Sequence, residues 1–220
     1  MRRLKTASIG LVAAAVLGGC GPLNKGSTAS QVADLIVDLT TGSTQTAPTA
    51  APPLSPEEVR ANPGKFMRVN IRNRNRWDTM IQAGENGTRT TWVDSENNSV
   101  TVDGGIVVAS RGLMGDLIAA DVAEVRAALR RGGGNALRRH DFLKDQDGIS
   151  TELLQCRIVS QGSETIERLQ TRRKTVKFEE KCAGDSLEFT NVYWLNDAGS
   201  VIRSLQAVSP DAGYLQIDVF

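Results

Sequence analysis

Histidine occurs once in this chain of 220 residues, cysteine three times, and aromatic side chains only as three Trp, two Tyr and five Phe. With one imidazole and no cluster of free thiols, a structural or catalytic zinc site lacks ligands. No serine stands in a Gly-x-Ser-x-Gly elbow that would partner the sole histidine, His140, so triad chemistry has no signature. An excess of charge is missing too: 26 basic residues face 25 acidic ones, a net charge of +1, too weak a field to hold a nucleic-acid backbone. Nor is there an apolar run of the roughly 20 residues that a membrane-spanning helix requires.

What is present is globular in composition, 40% hydrophobic and 23% charged, but unevenly arranged. Arg2, Arg3 and Lys5 precede an apolar stretch from Ala7 to Leu17 with no acid before position 20, so the rest of the chain holds 23 basic against 25 acidic residues. This pattern, ending in Leu17-Gly18-Gly19-Cys20, predicts a signal peptide over residues 1–19. The last four residues resemble the bacterial lipobox. Cysteine is nucleophilic enough to take a diacylglyceryl group as a thioether, which makes Cys20 the expected lipidation site, palmitate-type chains the expected anchor and the membrane an expected partner. Gly21 in place of an aspartate implies, by resemblance to sorted lipoproteins, delivery to the outer membrane.

Residues 20–64 read as a tether. Val32, Leu35, Ile36 and Leu39 fall at i, i+3, i+4, i+7, with Thr28 and Gln31 as a capping pattern, so residues 28–39 predict a short amphipathic helix whose stripe needs the body or the membrane surface as partner. A Pro/Thr/Ser/Ala-rich linker follows over residues 40–56, with too little aliphatic bulk to form a core. Ser55 with Glu58 predicts a capped helical turn before Asn62-Pro63-Gly64.

Residues 65–220 predict one β-rich domain. Strands are expected from Met67-Val69-Ile71, Thr88–Val93, Ser99–Val102, Gly105–Ala109 around an Asp103-Gly104 turn, Leu153–Val159, Thr165–Leu169, Lys174–Phe178, Leu187–Leu195, Val201–Val208 and Tyr214–Val219. One helix, Asp121–Arg131, interrupts them, capped by Asp121 with Glu124, burying Val122, Val125 and Leu129, and stopped by three glycines. The fold class expected is mainly β, an antiparallel curved sheet or partly open barrel with one inserted helix.

With Cys20 acylated, Cys156 and Cys182 remain, and in an exported protein an even pair predicts a disulfide. Neither metal nor cofactor is expected. Asp145-Gln146-Asp147-Gly148 imitates a calcium loop, but Leu143 and Leu154 stand at its end-ligand positions, so it reads as a turn. Glu179-Glu180 are adjacent and face opposite sides of a strand, which gives solvated or cross-strand charges rather than a catalytic pair. The basic runs Arg172-Arg173-Lys174 and Arg138-Arg139 read as solvated faces or as an anion-attracting surface. Trp77, Trp92, Tyr193, Trp194 and Tyr214 are divided between core and sugar-stacking roles.

The order of motifs adds a family. Thr90-Thr91-Trp92-Val93, Gly104-Gly105-Ile106-Val107-Val108-Ala109-Ser110-Arg111-Gly112-Leu113, Gly115-Asp116-Leu117 and Ala120-Asp121 resemble the central block of the YjbF/GfcB lipoproteins. Phe189, Asn191, Tyr193-Trp194, Gly199, Ile202-Arg203-Ser204, Gln206, Ser209-Pro210 and Gly213-Tyr214 are similar to the C-terminal part of that family. The resemblance implies a barrel-like outer-membrane lipoprotein, non-catalytic, that serves exopolysaccharide or capsule secretion by contact with the glycan or its export machinery. An envelope enzyme acting on glycan and a purely structural tether are the rival readings. Arg111, Gly112 and Asp116, at the hairpin-to-helix junction, with Trp92, Trp194 and Tyr214, are the candidate binding or junction residues, Arg111 being expected to pair with Asp116 or Asp121.

Overall fold

The computed structural model describes residues 54–113, 115–143 and 148–220. The predicted signal peptide, Cys20, the segment 28–39, nearly all of the linker and residues 145–147 lie outside them. Twelve strands are described: β1 (Phe66–Ile71), β2 (Arg76–Asn86), β3 (Arg89–Val93), β4 (Ser99–Asp103), β5 (Ile106–Arg111), β6 (Leu117–Asp121), β7 (Gly133–Leu143), β8 (Ile149–Arg168), β9 (Thr171–Ala183), β10 (Glu188–Leu195), β11 (Val201–Ser209) and β12 (Gly213–Val219). Two α-helices, α1 (Pro56–Ala61) and α2 (Ala123–Arg130), complete it.

The strands form a single sheet in the order β5-β4-β3-β2-β1-β12-β11-β10-β9-β8-β7-β6. Every neighbour in it is antiparallel and, β1–β12 apart, next in sequence. The two edges, β5 and β6, are consecutive in the chain and close to each other without a ladder between them. The result is a nearly closed barrel with one unsealed seam, in agreement with the fold class expected. Along β8 and β9 the inward positions carry Leu154, Cys156, Ile158 and Phe178 together with Glu152 and Glu180, and the outward ones Gln155, Arg157 and Lys181 together with Leu153 and Val159; β7 turns Arg138 and His140 inward and Leu137 outward.

Local chemistry explains the elements. Ser55 Oγ accepts from Glu58 N at 3.1 Å while Ser55 N donates to Glu58 Oε2 at 3.0 Å, the capping box expected for α1. Val122, Val125 and Leu129 are buried as expected along α2. Its cap differs: Asp121 ends β6 and accepts from Ala123 N at 3.0 Å, while Glu124 accepts from Leu137 N at 2.8 Å, tying the helix to β7 instead of closing a box. The β4–β5 turn is Gly104-Gly105, at φ 61° and 88°, one residue later than Asp103-Gly104. Asp103 stays in β4 because its carboxylate is held by Thr88 and Arg126.

The two strands expected at 153–159 and 165–169 are one strand, β8, bent by a bulge between Ser160 and Gly162. β7 pairs with β8 only as far as Val159, and β10 with β9 only as far as Val176. Residues 160–175 therefore project as a two-stranded ribbon, turned at Leu169-Gln170 with φ 41° and 63°. The ribbon reaches β11 and β12: Arg203 donates to Glu167 O at 3.1 Å, and Ile166 and Thr175 are buried. Lower down, Cys156 and Cys182 face each other in the β8–β9 register and form the expected disulfide. It staples one long hairpin rather than a meander.

Candidate functional site

Three places in the barrel combine charged side chains with defined geometry. The first is its interior. Arg138 and His140 point inward from β7, and Glu180 does so from β9, where it is 0% exposed. Arg138 Nη1 lies 3.1 Å from Glu180 Oε2, and the same carboxylate accepts from Tyr193 Oη at 2.6 Å and Asn191 Nδ2 at 2.7 Å. Arg138 Nε donates to His140 Nε2 at 2.7 Å, so the imidazole is an acceptor there and is neutral. Burial, then the adjacent guanidinium, push the His140 pKa well below its ordinary value; burial and Glu180 push the Tyr193 phenol well above its own. Burial works against the Arg138 charge, but Glu180 and Tyr193 outweigh it and hold the guanidinium protonated.

These bonds correct one expectation and decide another. Arg138 is no part of a surface basic run, and of the two readings of Glu180 the solvated one fails while the cross-strand one holds, through Arg138 of β7 and Asn191 and Tyr193 of β10. Glu180 is also no acid–base catalyst for a solvent-borne substrate, since both its oxygens are bonded in the interior.

The second place is the seam. Backbone groups of β5 that lack a ladder partner are met by side chains. Gln206 accepts from Val107 N at 2.8 Å and donates to Gly105 O at 2.9 Å, while Arg138 Nη2 reaches Val107 O at 3.4 Å. At the junction with β6, Asp116 accepts from Ser110 Oγ, Gly112 N and Leu113 N at 2.8–3.0 Å. Arg111 pairs with neither Asp116 nor Asp121. It donates instead to the carbonyls of Ser110, Leu117 and Ile118, bridging the two edges. Gly112 sits at φ 81°, where any residue with a Cβ is strained, and Asn98 Oδ1 occupies the place of that Cβ. Arg111 and Asp116 also line a recess of about 730 Å³ with Phe142, Glu152 and Pro210.

The structure does not bring the candidate aromatics to a surface. Trp92, Trp194 and Tyr214 are 3%, 1% and 1% exposed, and none offers a free ring face to a sugar. Tyr214 Oη accepts from Thr190 N, and burial pushes its pKa up to about 12.

The third place is a groove of about 910 Å³ at the ribbon tip. The ribbon, α1, the β10–β11 turn and the C-terminal residues wall it, and its basic side chains are Arg60, Arg168, Arg172, Arg173 and Lys174, against one acid, Asp197. Arg168 is the residue sequence reading missed. Its side chain is 8% exposed, lies over the Phe220 ring at 4.6 Å, and reaches Asp218 only at 3.6 Å. Asp218 is held by Arg203 through two bonds of 2.7 and 3.0 Å, and Nε and Nη2 of Arg168 make no hydrogen bond. Burial pushes the Arg168 pKa down, with Asp218 opposing. Its sequence signal was the position two residues beyond the apolar Ile166 on an alternating strand, which marks it as inward.

No curated protein sequence matches the chain. Among solved structures it is similar to the hypothetical lipoprotein YmcC from Escherichia coli (K12), at a TM-score of 0.65 and 14% identity, over 86% of this chain and 92% of that one. That likeness concerns the fold. The family model described as group 4 capsule polysaccharide lipoprotein gfcB, YjbF, matches residues 31–220, nearly the whole chain beyond the predicted leader. With that match the chain belongs to the YjbF family of capsule-associated lipoproteins.

Proposed function

We propose that this protein is a non-catalytic accessory factor in the secretion or assembly of an exopolysaccharide or capsule, anchored through lipid on Cys20 to the outer membrane and facing the periplasm. The family match over residues 31–220 carries this reading. Glu180 takes no part in glycan cleavage, since a glycosidase places two carboxyl groups at an accessible bond, whereas Glu180 is enclosed and bonded to Arg138, Tyr193 and Asn191. The barrel body then acts by binding, and the tether sets its distance from the membrane.

The test is deletion of the gene followed by measurement of secreted and cell-bound polysaccharide, with the wild-type copy returned as control. Reduced export restored by the wild-type copy is the expected result; unchanged export refutes the role. The anchor has its own test, incorporation of labelled palmitate, expected in the wild type and lost in Cys20→Ala. Label retained by that variant refutes lipidation at Cys20.

A further inference from the structure

We propose that the groove at the ribbon tip binds the acidic groups of an anionic polysaccharide, with Arg168 receiving a carboxylate or phosphate at its base and Arg172, Arg173 and Lys174 following the chain. The anion rests on Arg168; the choice of a glycan as its carrier rests on the function proposed above.

A buried guanidinium with two unpartnered donor atoms is an unusual state, because a buried polar group without a partner costs free energy and nearly all such groups are paired. Asp218 answers the need only in part: Arg203 holds it through bonds of 2.7 and 3.0 Å, and Arg168 Nε reaches Oδ1 only at 3.6 Å, an ion pair without a hydrogen bond. Arg168 lines the groove, and its Nε and Nη2, which make no hydrogen bond, lie closed to solvent beneath the groove surface, Nε within 3.6 Å of Asp218 Oδ1. The planar guanidinium fork fits the two oxygens of a carboxylate or phosphate.

The surroundings agree. Arg173 lies opposite Ile166 in the hairpin register, on the face that Arg168 shares; Arg172 and Lys174, opposite Glu167 and Thr165, alternate to the other face and border the groove from the ribbon's rim. All three residues of the basic run are exposed, so their charge is available along the rim. Val59, Ile202 and Val219 add apolar surface for the C–H face of a sugar ring. A volume of about 910 Å³ suits a ligand-sized guest. A bilayer is the poorer occupant: anionic lipid attracts basic clusters that stand proud of the surface, whereas Arg168 is recessed, with its side chain 8% exposed.

The experiment titrates the full-length protein with polygalacturonate, with its methyl-esterified form, and with phosphatidylcholine vesicles with and without phosphatidylglycerol. Polygalacturonate is expected to bind in a salt-sensitive manner. The ester, the Arg168→Gln variant and the triple variant Arg172→Ala/Arg173→Ala/Lys174→Ala are each expected to weaken binding by about tenfold or more. The triple variant changes only exposed side chains and keeps the test decisive if Arg168→Gln does not fold. Equal binding of the acid and its ester, undiminished binding by the triple variant, or binding of phosphatidylglycerol vesicles alone overturns the proposal. Returning the triple variant to the deletion strain separates the two readings. Full restoration of export by a variant that no longer binds polygalacturonate rejects the site and keeps the role; binding lost with the variant in a protein whose deletion leaves export unchanged keeps the site and rejects the role.

Discussion

Substituting Glu180 by Leu removes the carboxylate that receives Arg138, Tyr193 and Asn191, and leaves the Arg138 guanidinium, 2% exposed as a residue, with neutral partners alone: a histidine nitrogen, the Tyr193 hydroxyl, the Phe189 ring and a long contact to a carbonyl. Breaking a buried pair from one side costs about 3–5 kcal/mol, since the remaining charge has no compensation. Arg138→Met alone is milder, about 3 kcal/mol, because Tyr193 and Asn191 still donate to the carboxylate. The double variant Arg138→Met/Glu180→Leu removes both charges at once. What it retains is the unmade bonding of Tyr193, Asn191 and His140, about 1–3 kcal/mol in all. The cycle should therefore close with a coupling of about 3 kcal/mol or more between the two positions. Urea unfolding followed by the fluorescence of the buried Trp92 and Trp194 measures each corner, and an unchanged m-value confirms that stability alone has shifted. A double variant that loses the sum of the two singles, or a Glu180→Leu that loses less than about 1 kcal/mol, refutes the assignment of this network as one coupled unit.

Opening the Cys156–Cys182 disulfide, by reductant or by paired Ser substitution, is expected to cost about 3 kcal/mol across its 26-residue separation; equal urea midpoints with and without reductant would refute this. Asp116→Ala strands Ser110 Oγ and two backbone amides at the seam, so it should destabilise by about 2 kcal/mol and accelerate hydrogen exchange in β5 and β6 more than in β11, and uniform exchange would count against it. The histidine gives a pH dependence of known sign: the unfolded chain takes a proton near pH 6.5 and the fold does not, so stability falls as pH drops below about 6.5, by up to about 1.4 kcal/mol per unit. His140→Gln should flatten that limb between about pH 6.5 and 5, and an unchanged slope would show that His140 is not its source.

Which parts of this molecule were legible in the sequence follows from what pattern reading measures. Period-two apolarity found β1, β3 and β10–β12, where Val69, Val192, Leu205 and Leu215 face a hydrocarbon core. It missed β7, which reads Gly-Gly-Asn-Ala-Leu-Arg-Arg-His-Asp-Phe-Leu, because the residues that face inward there are Arg138 and His140 while Leu137 faces out at 61% exposure. On that strand the alternation is inverted, and only the partners contributed by distant strands, Glu180 and Tyr193, make the inversion stable. A pairing across 42 residues leaves no mark on local periodicity. It missed β2 for the opposite reason, since only Met80 of its eleven residues is buried.

The groove shows the same limit in another form. The basic run Arg172-Arg173-Lys174 was visible as composition, yet composition could not say whether it was a solvated face. What distinguishes the two cases is Arg168, and its condition is set by a competition that spans the chain. The bulge after Ser160 brings the hairpin tip over β12, where Arg168 meets Asp218 second to Arg203. Arg203 holds the shorter contact, 2.7 Å against 3.6 Å, so one acid serves two guanidiniums and one is left short. Had Asp218 faced Arg168 alone, the groove would be a closed ion pair with a charged rim and nothing to recruit. The excess of one buried cation over its acid, fixed by register rather than by any local motif, is what turns a charged surface into a site with a defined ligand charge.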